Sequence, residues 1–354
     1  MAMASVSAVT AAAVKDRARA AGFDLCGISP VAAFPELDRF AAWLDLGYAG
    51  EMSYLHRTAD KRRDVRGVLP SARSVIVLGT IYNTDRPYSN EASAAGRAAL
   101  ARYAWGDDYH LVIEQRLALL LDWLRDAAGG GLEARAYVDT GPVQERVYAR
   151  YAGLGWIGKN TCVINEELGS WIFLSVIACN LEFAPDAPAL DQCGTCQRCI
   201  DACPTGAIVE PYSLDATRCL SYLTIEIKGA IPEPQRSDIG DHAYGCDICQ
   251  EVCPWNLTPS TGVSGDAAWL PRQALDGPTL IDLWSSSDDE LRRAMKGSAM
   301  KRAGVRRLRR NLAVAIGNSG DPAAVGVLER SEEPASQDPM VAEHVRWALA
   351  KLRG

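Results

Sequence analysis

Apolar positions along the 354-residue chain fall into distinct periodic patterns. Residues 74–79 read Ser-Val-Ile-Val-Leu-Gly, a short unbroken apolar run that predicts a buried strand. Gly106, Asp107 and Asp108 precede apolar positions at Leu111, Leu117, Leu120, Leu121 and Leu124, the spacing of a capped amphipathic helix. Residues 134–138 predict a second strand. Thr140, Gly141 and Pro142 then predict a helix start, with Pro142 in the first turn, where its missing N–H costs little. Residues 162–164 and 171–179 are apolar and β-rich, and residues 165–170 between them have turn composition, which predicts a hairpin.

Pro185 and Pro188 interrupt this pattern and predict a boundary. Residues 1–184 thus form an α/β domain, residues 185–258 a cysteine-rich domain, and residues 259–354 a helical domain. In the last of these, Val305, Leu308, Leu312 and Ile316 share one helix face, with arginines expected on the others. Residues 321–328 and 341–352 read as short paired helices of HEAT-like character.

Composition adds a globular class: hydrophobic residues make up 48% and charged residues 23%. No apolar stretch is long enough to span a membrane, and the first residues lack the basic start and apolar run of an export signal. A cytoplasmic protein with no membrane partner is expected. Abundant cysteine in a reducing compartment then points to metal ligation rather than disulfides. The net charge is −7, yet residues 296–310 hold Lys296, Lys301, Arg302, Arg306, Arg307, Arg309 and Arg310 with no acid. Such a segment is either a polyanion-binding surface or a solvated helix face.

Cys193, Cys196, Cys199 and Cys203, followed by Pro204, have the C-x2-C-x2-C-x3-C-P spacing of bacterial ferredoxins. Cys219 and then Cys246, Cys249 and Cys253, followed by Pro254, form a second, stretched run. Three closely spaced thiolates converge on one cubane, and the x3-Cys-Pro step directs the fourth to its neighbour. Cys193, Cys196, Cys199 and Cys253 therefore hold one [4Fe–4S] cluster, and Cys203, Cys219, Cys246 and Cys249 the other. Zinc prefers two CxxC pairs and fits this spacing poorly. Cys26, Cys162 and Cys179 remain and read as small buried hydrophobes.

Gly153, Gly155 and Gly158 spell GxGxxG, but a helical stretch precedes them and a strand follows, the reverse of a dinucleotide-binding loop. The same turn, with Lys159 and Asn160, can still approach a phosphate- or amide-bearing cofactor; Asn165 and Ser170 join them as candidate cofactor contacts. Asp139 ends an apolar strand, where ligands of α/β sheets gather. It is either a turn aspartate or an acid that, desolvated, holds a proton near neutral pH and delivers it.

These segments together resemble the epoxyqueuosine reductase family. The likeness is carried in order by residues 101–110, 138–146, 153–161 and 169–171, both cysteine runs, residues 219–226, 245–250, 253–256, 297–304 and 306–311. It implies a nitroreductase-like cobalamin-binding α/β core, a two-cluster ferredoxin-like domain and a HEAT-like α-helical C-terminal domain. It implies reductive removal of the epoxide oxygen of epoxyqueuosine at the wobble position of tRNA, consuming two electrons and two protons and leaving an alkene and water. The two clusters would reduce the cobalamin cobalt to Co(I), fed by an unidentified low-potential electron donor, in a monomeric protein. The family's proton donor falls on Asp139, and its corrinoid-contacting arginine on Arg62; the family usually has proline where this chain has Val65. Lys296, Lys301, Arg302, Arg306, Arg307 and Arg310 become candidate tRNA contacts, facing out from the helix. Asp108, Tyr109 and His110 come closest to a cobalt-ligating Asp-x-His motif but lack its glycine, in keeping with a family that uses no protein histidine on cobalt.

Two other readings share features with this one. A reductive dehalogenase would have the same cofactors but usually carries an export signal and needs no basic tail. A ferredoxin-type electron-transfer module would need neither Asp139 nor a tRNA surface.

Overall fold

The structure is a computed structural model that describes residues 9–89, 96–257, 262–330 and 338–354. The expected boundary at 258–259 lies outside the described residues. Four strands, β1 (Leu25–Pro30), β2 (Ser74–Ile81), β3 (Ala134–Tyr137) and β4 (Ile172–Cys179), make one sheet in the order β1–β2–β4–β3. Every neighbouring pair is antiparallel. The unbroken apolar run of β2 follows from its position, since all of its residues are buried.

The twofold period of a strand sorts these side chains into two layers. Ile76, Leu78 and Ile177 face α1 (Ala11–Ala20) and α2 (Tyr109–Ala127), whose Val14, Ala18, Ile113, Leu117 and Leu120 complete that core. Val75, Val77 and Val176 face α3 (Glu145–Tyr151), which contributes Val147, Tyr148 and Ala149. Asp108 caps α2, its side chain accepting from the His110 N–H.

Two sequence expectations change. Residues 165–169 do form a tight turn, closed by Asn165 N–H to Gly169 O (2.8 Å) and Gly169 N–H to Asn165 O (3.1 Å). Its flanks, however, enter different sheets: Val163–Ile164 pairs with Trp156–Ile157, while β4 lies between β2 and β3. Turn composition reports a reversal, not the partner of each arm. The helix after Pro142 begins only at Glu145, because the chain is still turning at Thr140, whose N–H meets Val138 O at 2.5 Å. Around the GxGxxG glycines the order is helix, then strand, as expected.

The cysteine segment has little regular structure beyond short helices and the hairpin Ile208–Glu210 with Ser213–Leu214. The tail contains α4 (Gly304–Asn318), α5 (Ala323–Arg330) and α6 (Pro339–Arg353). Its core is continuous with earlier parts of the chain: Leu308, Leu312, Val345 and Leu349 cluster with Leu100, Ala104, Ile225 and Tyr244. Among the described residues no helix is long and apolar enough to cross a membrane.

Gly27 in β1 marks the closest approach of sheet and helix layer, since a Cβ there would overlap the Ala152 carbonyl oxygen and meet Leu154 Cδ1 at 2.7 Å. Backbone cannot yield as a flexible side chain can. Gly27→Ala should therefore cost about 1–3 kcal/mol, as overpacking does, and lower the thermal midpoint. An unchanged midpoint would mean that the β1–α3 contact is loose.

Candidate active site

A cavity of about 710 Å³ opens beyond the end of β3, bounded by the start of α2, residues 214–226 and residues 299–302. Asp139 lies in it with φ of 56°, left-handed backbone that aspartate tolerates better than most residues. Residues held in such conformations gather at functional sites.

The Asp139 carboxylate is the end of a polar chain. Tyr109 O–H donates to its Oδ2 at 2.8 Å. His110 Nε2 stands 3.4 Å from the same oxygen. The other ring nitrogen, Nδ1, is 2.8 Å from Asp108 Oδ1, and Lys301 Nζ is 2.7 Å from Asp108 Oδ2. Packing fixes the rings: Tyr109 stacks on Phe173 of β4 with centroids 4.4 Å apart and on His110 at 4.0 Å. Arg302 pairs with Glu226 at 2.9 Å on the opposite wall.

These contacts correct the expected state of Asp139. Desolvation alone would raise its pKa, but the Tyr109 hydrogen bond and the nearby charges of His110 and Arg302 hold it at about 2. Burial alone would lower the pKa of His110, yet Asp139 and Asp108 raise it. The carboxylate is thus held ionised and the imidazole is biased toward its protonated form, unlike the protonated aspartic acid that is one of the two sequence readings. His110 was missed as a partner because its position was weighed only as a cobalt ligand; the available signal was a helix N-cap aspartate followed by Tyr-His.

The thiols stand around two further spaces. Cys193, Cys196, Cys199 and Cys253 line a cavity of about 260 Å³. Cys246 faces Cys219 and Cys203, and Cys249 faces Cys246 and Cys219. Among the described residues no three His, Cys, Asp or Glu groups close on a single ion; the donor set suits a larger group. Cys203 Sγ accepts the Ala207 N–H at 3.2 Å. Cys219 also lines the large cavity with Asp139. Cys179 is buried in the sheet core as expected, whereas Cys162 is only partly buried.

A neighbouring cavity of about 430 Å³ meets the large one at Leu214. Arg150 Nε and Trp156 Nε1 are buried without a partner among the described residues, and both residues line it. Two orphaned donors beside Arg39, Arg146 and Trp43 fit a large ligand that carries amide or phosphate oxygens.

The expected cofactor contacts lie elsewhere. Arg62 donates to Val143 O (3.1 Å) and Thr58 Oγ1 (3.0 Å), bracing the chain after Asp139. Lys159 Nζ donates to Gly194 O (2.7 Å) and Cys196 O (2.9 Å), and Asn160 to Cys249 O (3.1 Å). Asn165 holds its own turn, and Ser170 Oγ accepts from Gln250 and Asn256. All but Arg62 and Asn165 brace the cysteine segment directly.

The basic segment is corrected too. Lys296, Lys301, Arg302 and Arg306 are exposed, but Arg307 is half-buried and Arg310 is 0% exposed. Lys301 and Arg302 line the large cavity, and Arg306 pairs with Asp338.

Comparison with known proteins gives the chain's family. Residues 192–256 match a family described as a 4Fe-4S double cluster binding domain, and residues 62–140 match one described as Epoxyqueuosine reductase QueG, DUF1730. A relative from Gloeobacter violaceus named epoxyqueuosine reductase is 44% identical over 322 residues, covering 90% of this chain and 99% of its own. A solved epoxyqueuosine reductase with an epoxyqueuosine-modified tRNA-Tyr stem loop superposes with TM-score 0.84 at 31% identity, covering 96% of this chain and 89% of the other. Another, from Bacillus subtilis, has its catalytic aspartate loop swung out of the active site; it superposes with TM-score 0.83 at 30% identity and the same coverage.

The chain has four histidines, so ring signals from labelled protein are few enough to assign. His110 should titrate above the ordinary value of about 6.5, and Asp139→Asn should bring its midpoint down. An unmoved midpoint would break the proposed coupling between them.

Proposed function

The chain belongs to the epoxyqueuosine reductase family and is an oxidoreductase, and we propose that Asp139 and His110 together form its proton-delivering unit. One observation carries the reading: a carboxylate–imidazole pair and a cluster-type thiol, Cys219, line the same cavity. Reduction of an epoxide to an alkene and water takes two electrons and two protons, so a site for it needs both supplies at one place.

The cysteines would hold two [4Fe–4S] clusters in the crossed grouping, which carry single electrons inward from a low-potential donor. Cobalamin fits the joined cavities, with Arg146, Arg150 and Trp156 available to its amide and phosphate oxygens. When bound it supplies a strongly reducing cobalt centre for opening the epoxide. Around it the chain's own groups act on the proton. His110 stores one at Nε2, Asp139 Oδ2 passes it to the leaving oxygen, and Tyr109 O–H keeps that carboxylate oriented. Asp108 and Lys301 hold the imidazole from behind, so it can lose and regain the proton without turning. Met52, Leu214 and Ile225 give the cavity apolar walls.

The substrate is epoxyqueuosine at the wobble position of tRNA, and the relative with a modified stem loop supports this class. The modified base would enter the cavity splayed from its stack. Lys296 and Arg306 would meet phosphates outside, while Lys301 and Arg302 act at the mouth. Arg307 and Arg310 are withdrawn from that role by burial. A cytoplasmic monomer with a nitroreductase-like core completes the reading.

Anaerobic protein given cobalamin and a strong reductant should convert epoxyqueuosine in tRNA to queuosine; failure with tRNA but turnover of organohalides would favour a dehalogenase. Asp139→Asn keeps the shape and removes the acid. It should lower turnover by about a hundredfold or more, the scale of a lost general acid, with iron content unchanged. In the parent enzyme turnover should fall as pH rises through the raised His110 pKa, since the stored proton is lost there. Near-normal turnover of Asp139→Asn would return that residue to a turn role.

A further inference from the structure

Residues Tyr222–Glu226 form one turn of π-helix between Cys219 and the cavity wall. Ile227 N–H closes the turn on Tyr222 O at 3.1 Å, and the chain then leaves the helix at Ile227. A helix end leaves its last carbonyls without partners, and burying them unpaired is costly. Here the partners come from a distant helix. Arg310 Nη2 donates to Leu223 O at 2.7 Å, Asn311 Nδ2 to Thr224 O at 2.8 Å, and Arg307 Nη1 to Ile225 O at 2.5 Å. Arg310 Nη1 reaches on to Ile227 O (2.9 Å) and Gly229 O (2.6 Å). Positions 307, 310 and 311 share one face of α4 by their i, i+3, i+4 spacing. Asn311 Oδ1 in turn accepts from Arg310 Nε and Nη2, which locks the guanidinium plane. Five carbonyls within seven residues are thus held by three side chains.

The clamp connects to the thiols through Thr224. Its Oγ1 donates to Leu220 O at 2.7 Å, beside Cys219, and accepts the Gly245 N–H at 2.9 Å, beside Cys246. Leu223 N–H also bonds Cys219 O at 3.0 Å. Glu226, the partner of Arg302 in the cavity, ends the same π-turn. A π-turn is rare, and such turns recur at functional sites.

We propose that Arg307, Arg310 and Asn311 are positioning residues that set the π-turn, and through it hold Cys219 in register with Cys203, Cys246 and Cys249. Arg307 and Arg310 of the basic segment then form a carbonyl clamp for the second cluster and not a phosphate-binding face. The inference rests on the reading of the eight cysteines as two clusters. Parent protein with about eight irons per chain supports that reading, and far fewer would remove it independently of the clamp.

The test compares Arg307→Met, Arg310→Met and Arg306→Met with the parent by iron release to a chelator, followed by alkylation and mapping of the freed cysteines. Arg307→Met removes donors from a half-buried position and leaves the core intact. It should release about half of its iron at least threefold faster, the scale of one lost hydrogen bond, with Cys203, Cys219, Cys246 and Cys249 alkylated first. Arg310→Met should hold only about four irons, with Cys193, Cys196, Cys199 and Cys253 protected, and Arg310→Lys should recover part of the loss. Arg306→Met should release iron as the parent does. Parent-like release from Arg307→Met, or equal alkylation of both cysteine sets in it, overturns the clamp, whether or not Arg310→Met folds.

Discussion

Eight thiols that must converge cannot all be presented from regular helices and strands, and irregular backbone brought inside a protein needs hydrogen-bond partners. The cysteine segment supplies some itself, through short turns such as Cys196 N–H to Cys193 O and Cys253 N–H to Gln250 O, but not all. It borrows others: Lys159 serves the carbonyls of Gly194 and Cys196, Asn160 serves Cys249, and Arg310 with Asn311 serves the chain from Leu223 to Gly229. Asn256, Ser170 and Gln250 close a further knot between β4's leading turn and the second cysteine run. The small core beside Cys253 contains little more than Trp156 and Ile164. Side-chain donors from the α/β segment and from the tail therefore supplement the small core that Ala216, Leu220, Tyr222, Leu223, Ile231 and Ile239 build with Val314.

The same economy shapes the cavity. Its charges are arranged in a line, Lys301 to Asp108 to His110 to Asp139, so that each carboxylate meets a donor and neither is left buried alone. Desolvation opposes the charges of Asp108, His110 and Asp139, and the pairing overcomes it. The result is an imidazolium kept charged above its ordinary range beside a carboxylate kept ionised. The pairing holds both groups in their charged forms at rest, so the proton leaves the imidazolium only for a base stronger than the resting carboxylate.

Much of this was legible from residue order, and the rest was hidden for identifiable reasons. The cysteine spacing announced a two-cluster segment because local geometry controls which thiols share a loop. β2 and α2 were visible through period and capping. The direction of the arginines in α4 was not. A helix with one apolar stripe predicts outward cations, but α4 is enclosed on nearly every side, and Arg310 and Asn311 face carbonyls from a segment far away in sequence. The state of Asp139 was hidden for a similar reason, since its pKa depends on a histidine that only the fold brings beside it. The turn at residues 165–169 was legible while its strand partners were not, because pairing is long-range.

Arginine rather than lysine at position 310 follows from the geometry of what it serves. The carbonyls of Leu223, Ile227 and Gly229 diverge, and a planar guanidinium offers donors in fixed directions toward all three while Asn311 holds its remaining edge. An ammonium would have to choose among them and would carry a more strongly hydrated charge into the interior. Burial pulls the guanidinium pKa down to about 9, with Arg307 and Arg306 adding repulsion. Its charge is still retained near neutral pH, set against carbonyl dipoles at the end of a helical turn. A buried cation without an ion-pair partner persists only where several acceptors need it together, and here those acceptors lead directly to Cys219.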